Sequence, residues 1–380
     1  MEQSNLSHFE RHLISPEGYG QNHLAGVRDY RKPYRILSLD GGGIRSIISC
    51  AILERIVDHN PNFLSEVDFI IGTSAGGILA LLLSSGYPPS ECTKILKSSM
   101  PHIFGADPKR IMNPFRAKYC DKAKEEILKY YFHDRTMGSL DKACAVVSFR
   151  VDGEPSFTHA FFRKRGWRPA VFSNLPATEN GLVKPDLGLE VWEAGMRTSA
   201  APTYFPIFQG YVDGGVVANN PAVLGVTKSI VHYPGLNPNN VFVLSIGTGC
   251  WPSDESLQLG INGEFDWGLR QWVPHLLDLL LEGDSVTIDM LMNYLLGHDG
   301  GYHRIDPELS KRVTLDELDS MDQLYEVASV VDLTKTLQFC DRYFKYNDYN
   351  SSDDNMESNS LDRATSYYHA WEKSIKSNRP

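Results

Sequence analysis

Apolar residues along this chain come in short runs of two kinds, and the two kinds alternate. β-Branched and aliphatic stretches near 35–40, 67–73, 143–151, 210–213 and 241–247 have the length and composition of buried strands. Between them, apolar positions recur every three or four residues near 44–58, 76–85, 89–99, 121–132, 189–198 and 219–232. That period predicts helices packed by one face. Alternating strands and helices predict an α/β fold, with a mostly parallel central sheet sandwiched by helices. In such sheets ligands gather beyond the carboxyl ends of the strands.

From about residue 268 the pattern turns helical. Leu269 to Leu296 predicts one long helix, or two broken near Gly283. Its charged residues, Asp278, Glu282, Asp284 and Asp289, predict a half-exposed polar face. The scarcity of Lys and Arg favours packing on the core over lying in a membrane interface. Residues 347–360, rich in Asn, Ser and Asp, read as a loop before a last helix near 361–376. Residues 1–33 are polar and punctuated by Gly and Pro, an arm or cap. The expected division is an arm over 1–33, an α/β core over 34–250, and a helical extension over 251–380 packed on that core.

Composition narrows the picture. A chain of 380 residues with 42% hydrophobic content can bury a large core. Six scattered cysteines without a C-x-x-C argue for free thiols in a reducing compartment and against a thiolate metal site. The acidic tract 351–358 lacks calcium-loop spacing, so neither metal nor cofactor is predicted. The first twenty residues lack the apolar segment of a signal peptide, and no window reads as a membrane span. A cytoplasmic protein with at most peripheral membrane contact is expected. The net charge of −10 disfavours nucleic acid and gives no general attraction to anionic membranes. One local stretch, 159–169, mixes Phe161, Phe162 and Trp167 with Arg163, Lys164, Arg165 and Arg168. It reads either as a patch for lipid headgroups or as a solvated hairpin tip.

The candidate chemistry sits where the strands end. RILSLDGGGIRS (35–46) and DFIIGTSAGG (68–77) each run from a strand through glycines into a helix. The second is a G-x-S-x-G turn, Gly72-Thr73-Ser74-Ala75-Gly76, which forces a serine into an exposed elbow. The motif alone arises by chance in roughly one chain of this length in ten, and its strand–turn–helix setting is what raises it above an ordinary serine turn. The amides of Gly41, Gly42 and Gly43 at a helix start suit an oxyanion. Gly41-x-Gly43-x-x-Ser46 also approximates a dinucleotide fingerprint, but Ser46 replaces its third glycine and no acidic ribose ligand follows. Downstream, Asp213 ends a short apolar strand before Gly214-Gly215, a pattern shared with hairpin turns. None of the histidines after Ser74 falls in a post-strand glycine loop, so a direct Ser–Asp dyad is the arrangement left.

Taken together, DGGGIRS, GTSAG and DGG, in that order, resemble the three marks of the patatin-like phospholipases. MRTSAAPTYFP (196–206), VANNPA (217–222), VFVLSIGTG (241–249) and YHRIDPEL (302–309) extend the resemblance over roughly 33–345. Ser46 stands where the family usually has glycine. The resemblance implies a lipid acyl hydrolase with Ser74 as nucleophile, Asp213 as general base and the 41–43 amides as oxyanion hole. Arg45 matches the family's loop arginine, to hold the loop, to meet a phosphate, or to stand exposed in the first helical turn. The implied partner is a membrane lipid or other acyl ester, with no metal. Galactolipase, thioesterase and non-catalytic storage or lipid-binding readings share the same fold.

Overall fold

The computed structural model describes residues 32–105, 107–152, 166–177, 185–251, 266–297 and 300–345. The arm before residue 32, most of the 159–169 stretch, and the loop and helix expected after 346 lie outside the described residues.

The chain opens with β1 (Tyr34–Leu39), α1 (Ser46–His59), α2 (Phe63–Glu66), β2 (Phe69–Thr73) and α3 (Ser74–Ser84). α4 (Pro89–Ile103), α5 (Pro108–Ile111) and α6 (Lys122–Phe132) lead to β3 (Ala143–Arg150) and β4 (Arg168–Ser173). Then come α7 (Val191–Thr198), β5 (Tyr211–Asp213), α8 (Gly215–Ala218), α9 (Ala222–His232) and β6 (Val241–Ile246). The last described elements are α10 (Leu269–Leu296), β7 (Tyr302–Ile305), α11 (Met321–Val330) and α12 (Thr334–Tyr343). The five expected strands are present, joined by β4 and β7, which the apolar pattern does not announce. β7 means that the C-terminal region adds a strand to the sheet as well as helices.

The sheet runs β4-β3-β2-β1-β6-β7, with β5 also paired to β3. β3, β2, β1, β6 and β7 are mutually parallel, while β4 and β5 run antiparallel to β3. Alternate residues of each central strand feed separate cores. Leu37, Ile70, Val146 and Leu244 pack beneath α1, α3 and α4, whereas Ile36, Ile71, Val147 and Val243 pack on the opposite face beneath α9. That is why these strands read as unbroken apolar runs. Each such side chain is almost solvent-free, and truncating one to alanine costs about 2–5 kcal/mol.

One detail of register positions the site. β2 follows the edge of β3 as far as the rung Thr73↔Val147, and β5 takes up the same edge at the next rung, Asp213↔Ser148. The end of β2 and the end of β5 therefore meet head on. Ser148 Oγ lies 2.8 Å from the carbonyl oxygens of both Val212 and Arg197, between which its one proton is shared, and ties the junction down.

α10 is one unbroken helix of 28 residues. It packs on the core through Leu281, Ser285, Ile288, Met292 and Leu296, which are buried. Its carboxylates flank that face, partly buried and bonded to the protein. Asp284 accepts the Asn220 amide at 3.1 Å, Asp289 accepts the Tyr302 hydroxyl at 2.9 Å, and Asp278 pairs with Arg312. The outer face is leucine-rich instead.

Candidate active site

Ser74 is the first residue of α3 and stands at φ +53°, a left-handed conformation unusual for a residue with a side chain. The elbow is possible because helix and strands approach too closely for side chains at its glycines. A methyl group on Gly72 would lie 2.3 Å from the Gly76 carbonyl oxygen, and one on Gly76 would lie 2.3 Å from that of Asp40. The Ser74 amide donates to Thr198 Oγ1 at 3.0 Å, and Thr198 in turn donates to the Val147 carbonyl. The Thr73 hydroxyl donates to the Ala218 carbonyl at 2.6 Å. Three elements, α7, β3 and α8, thus hold the turn.

At the junction described above, Ser74 Oγ donates to Asp213 Oδ2 at 2.6 Å. The other carboxylate oxygen accepts the Gly215 amide at 2.8 Å. Asp213 is 4% exposed. Burial pushes its carboxyl up to about 6, against the pull of the Ser74 hydroxyl, the Gly215 amide and Lys124. A carboxylate so placed is a stronger base than a solvated one, and among the described residues the hydroxyl bonded to it is that of Ser74.

Lys124 escapes sequence reasoning, because KAKEE in α6 looks like a solvated helix face. It is buried, donating to the Ser199 carbonyl at 2.7 Å with its ammonium 3.7 Å from the centre of the Phe205 ring. Burial pushes its ammonium down to about 7, while Asp213 and Asp121 act in the opposite direction.

The glycine loop is more selective than its sequence suggests. The Gly41 amide is already spent on the Asn219 carbonyl at 3.1 Å, which corrects the expectation that all three glycines offer donors. Among the described residues no carbonyl takes the amides of Gly42 and Gly43. Gly43 stands at φ +58°, where the chain turns into the first helical turn and a side chain would collide with Leu315. Arg45 is not an exposed first-turn residue. It is 5% exposed, donates to the Gly249 carbonyl at 3.4 Å and does not line the cavities beside Ser74, so it braces the loop after β6. Ser46, in place of the usual glycine, donates its hydroxyl to the Gly43 carbonyl at 2.8 Å and stabilises the turn.

Beneath the loop lies a second device. Arg304 of β7 reaches Asp40 and Asp306, both at 2.7 Å, and Ser245 Oγ at 2.9 Å. It fixes the residue at which β1 hands over to the glycines. Burial pushes the Asp40 carboxyl up, and Arg304 opposes it.

Two cavities open on Ser74. The smaller is bounded by Gly42, Asp213, Asn219 and, from α10, Leu277 and Leu281. The larger is lined by Gly43, Ile78, Met100, Phe104, Lys124 and Phe205. A serine hydroxyl at the mouth of a mostly apolar cavity is an arrangement that suits an ester with a hydrocarbon chain. No group of His, Cys, Asp and Glu fit to hold a metal ion occurs among the described residues. No helix among them is long and apolar enough to cross a membrane.

The sequence profile of the family described as patatin-like phospholipase matches residues 37–224, a span that contains Ser74, Asp213 and the glycine loop. A cGAMP-activated phospholipase of Pseudomonas aeruginosa (strain BWHPSA011 / Pa011) is 28% identical over 295 residues, covering 74% of this chain and 81% of its own. Patatin-like protein 4 of Arabidopsis thaliana is 27% identical over 338 residues, covering 76% and 80%. A protein named probable inactive patatin-like protein 9, also of Arabidopsis thaliana, is 28% identical over 298 residues, covering 70% and 72%. Relatives of equal identity thus bear names of opposite meaning, and the site itself has to carry the chemistry.

Proposed function

This chain belongs to the patatin-like phospholipases through residues 37–224 and is an ester hydrolase acting on lipids; from that premise we propose that it cleaves acyl esters of membrane glycerolipids, as a phospholipase A, through a Ser74–Asp213 dyad. The observation that supports the dyad is the 2.6 Å hydrogen bond from the Ser74 hydroxyl to a buried carboxylate.

Asp213 Oδ2 takes the Ser74 proton as Oγ attacks the ester carbonyl. The negative charge that moves onto the carbonyl oxygen is met by the amides of Gly42 and Gly43, which no carbonyl takes among the described residues. As the tetrahedral intermediate collapses, the proton on Asp213 passes to the departing glycerol oxygen, leaving an acyl group on Ser74. Water repeats the sequence, giving up its proton to Asp213 and releasing the fatty acid. Asp213 is suited to both directions because its carboxyl ionises near 6, between that of a solvated acid and neutrality. The Gly215 amide holds the carboxylate so that Oδ2 remains the oxygen facing Ser74. The acyl chain is assigned to the larger cavity, whose Ile78, Met100, Phe104 and Phe205 offer apolar walls.

The test is active-site labelling with a fluorophosphonate, together with mass-spectrometric analysis of products from defined phospholipids and galactolipids. The parent protein should be labelled on Ser74 and release fatty acid and lysophospholipid, and Ser74→Ala should do neither. Galactolipid cleavage without phospholipid cleavage would reassign the substrate. An unlabelled, inactive parent would make the protein a lipid binder on an enzyme's fold.

A further inference from the structure

α10 is about 42 Å long at 1.5 Å per residue and carries an outer face unlike that of a soluble helix. Leu276, Leu279, Leu280, Val286, Tyr294 and Leu295 are all exposed, from 42% at Leu276 to 67% at Tyr294. Asp278, Glu282, Asp284 and Asp289 are all partly buried. The face therefore has no carboxylate, in a protein with a net charge of −10. The same helix closes the small cavity over the Ser–Asp pair through Leu277 and Leu281. One wall of the site thus continues directly into the apolar surface.

We propose that the outer face of α10 docks on a lipid surface, with its apolar side chains in the headgroup–acyl boundary, and so brings the catalytic cavity to its substrate. The inference rests on the lipid-hydrolase reading and adds the surface by which the protein meets its substrate. Two observations select lipid over a second helix, and a third sets how the helix lies. Exposed positions 269, 273, 276, 280, 283, 287, 290 and 294 follow three–four spacing, as a coiled-coil seam would. A seam is a narrow stripe flanked by charges that choose the partner; here the flanking Leu279, Val286, Leu291 and Leu295 are apolar as well. The apolar band consequently spans about half the helix circumference at 100° per residue, which matches a plane better than a groove. Third, the inward ties of Asp278, Asp284 and Asp289 to Arg312, Asn220 and Tyr302 keep the helix on the protein, so it lies along an interface and does not span one. Attraction is apolar, with Arg270 the one basic residue among the exposed positions of α10, so it should depend little on salt or on anionic lipid.

The experiment is sedimentation of the full chain with phosphatidylcholine vesicles at 0.1 and 0.5 M NaCl. A Ser74→Ala background keeps the vesicles intact. The parent should bind at both salt concentrations, and Leu279→Glu/Leu295→Glu should partition at least tenfold less. In the Ser74-containing protein the double variant should retain turnover of a water-soluble short-chain ester, since neither residue lines the site. Should the variant fail to fold, hydrogen exchange on the parent reads the same surface: vesicles should protect 273–295. Equal vesicle binding by parent and folded variant would overturn the inference, as would unchanged exchange over 273–295. A variant that shifts only from dimer to monomer, with vesicle binding intact, would also overturn it and assign the face to a second copy. Failure of the hydrolase reading would appear separately, as a parent that binds vesicles yet hydrolyses no ester.

Discussion

Replacing Asp213 with asparagine should make the protein more stable while making it inactive. The Asp213 carboxyl ionises near 6 in the fold, against 3.8 for an unperturbed aspartate, because it is buried. The sign follows from which state holds the proton more tightly. Here the folded state does, so stability is greatest below 3.8, is lost as pH rises through the interval, and stays lost above 6. The difference corresponds to about 3 kcal/mol at pH 8. Asparagine removes the charge and keeps an oxygen for the Gly215 amide. It gives up the charge-assisted bond from Ser74, worth about 1.5–3 kcal/mol, so a net gain of up to about 1.5 kcal/mol is expected, or at most a few degrees in the unfolding midpoint. Urea unfolding of parent and Asp213→Asn at pH 8 and at pH 4 measures it. The gain should be present at pH 8 and vanish at pH 4, where the parent's carboxyl is itself protonated in the fold. A variant less stable than the parent at pH 8, or an equal gain at both pH values, would refute the claim that the site stores the cost of a buried charge.

Other outcomes follow from the same geometry. Turnover of a soluble ester, as kcat/KM, should rise tenfold per pH unit up to about 6 and then level, because Asp213 must be ionised to take the serine proton. Lys124→Met should move that limb to higher pH, since the ammonium favours the ionised carboxylate; a limb that stays in place would show that the two do not communicate. Gly42→Ala puts a methyl group 2.3 Å from Thr248 Oγ1 and should lower kcat at least a hundredfold by displacing the oxyanion amides, with parent-like kcat counting against their role. Arg304→Leu leaves the carboxylates of Asp40 and Asp306 without their cation and should cost about 3–5 kcal/mol in urea unfolding. A loss under 1 kcal/mol would mean that the cluster is solvated.

The sequence made the central sheet and the catalytic turns legible for a physical reason. Strands buried on both faces must be apolar throughout, and a turn with no space for Cβ must be glycine, so both leave local signatures. β7 leaves none: Tyr-His-Arg-Ile is polar at its centre because Arg304 serves a buried ion pair. β4 opens with an arginine and a proline at the edge of the sheet, and reads as loop. Lys124 and Arg45 look like surface cations until burial is known. The Gly41 amide looked available because nothing local says that Asn219, far along the chain, would accept it. α10 packs on the core as its pattern predicts, but its carboxylates do not form the exposed face: periodicity cannot show that Arg312, the Asn220 amide and Tyr302 draw Asp278, Asp284 and Asp289 toward the protein, beside the buried Leu281, Ile288 and Met292.

The meeting of β2 and β5 on one edge of β3 has a consequence for biosynthesis. Ser74 and Asp213, its proposed base, are 139 residues apart in sequence, and β1, in the middle of the sheet, waits for β6 to emerge later still. A nascent chain that has exposed Ser74 has an elbow but no base. The arrangement leaves the serine without its activating partner until most of the domain has left the ribosome, so a truncated or stalled product would be silent towards the membranes around it. Assembly of the sheet and arming of the nucleophile are one event.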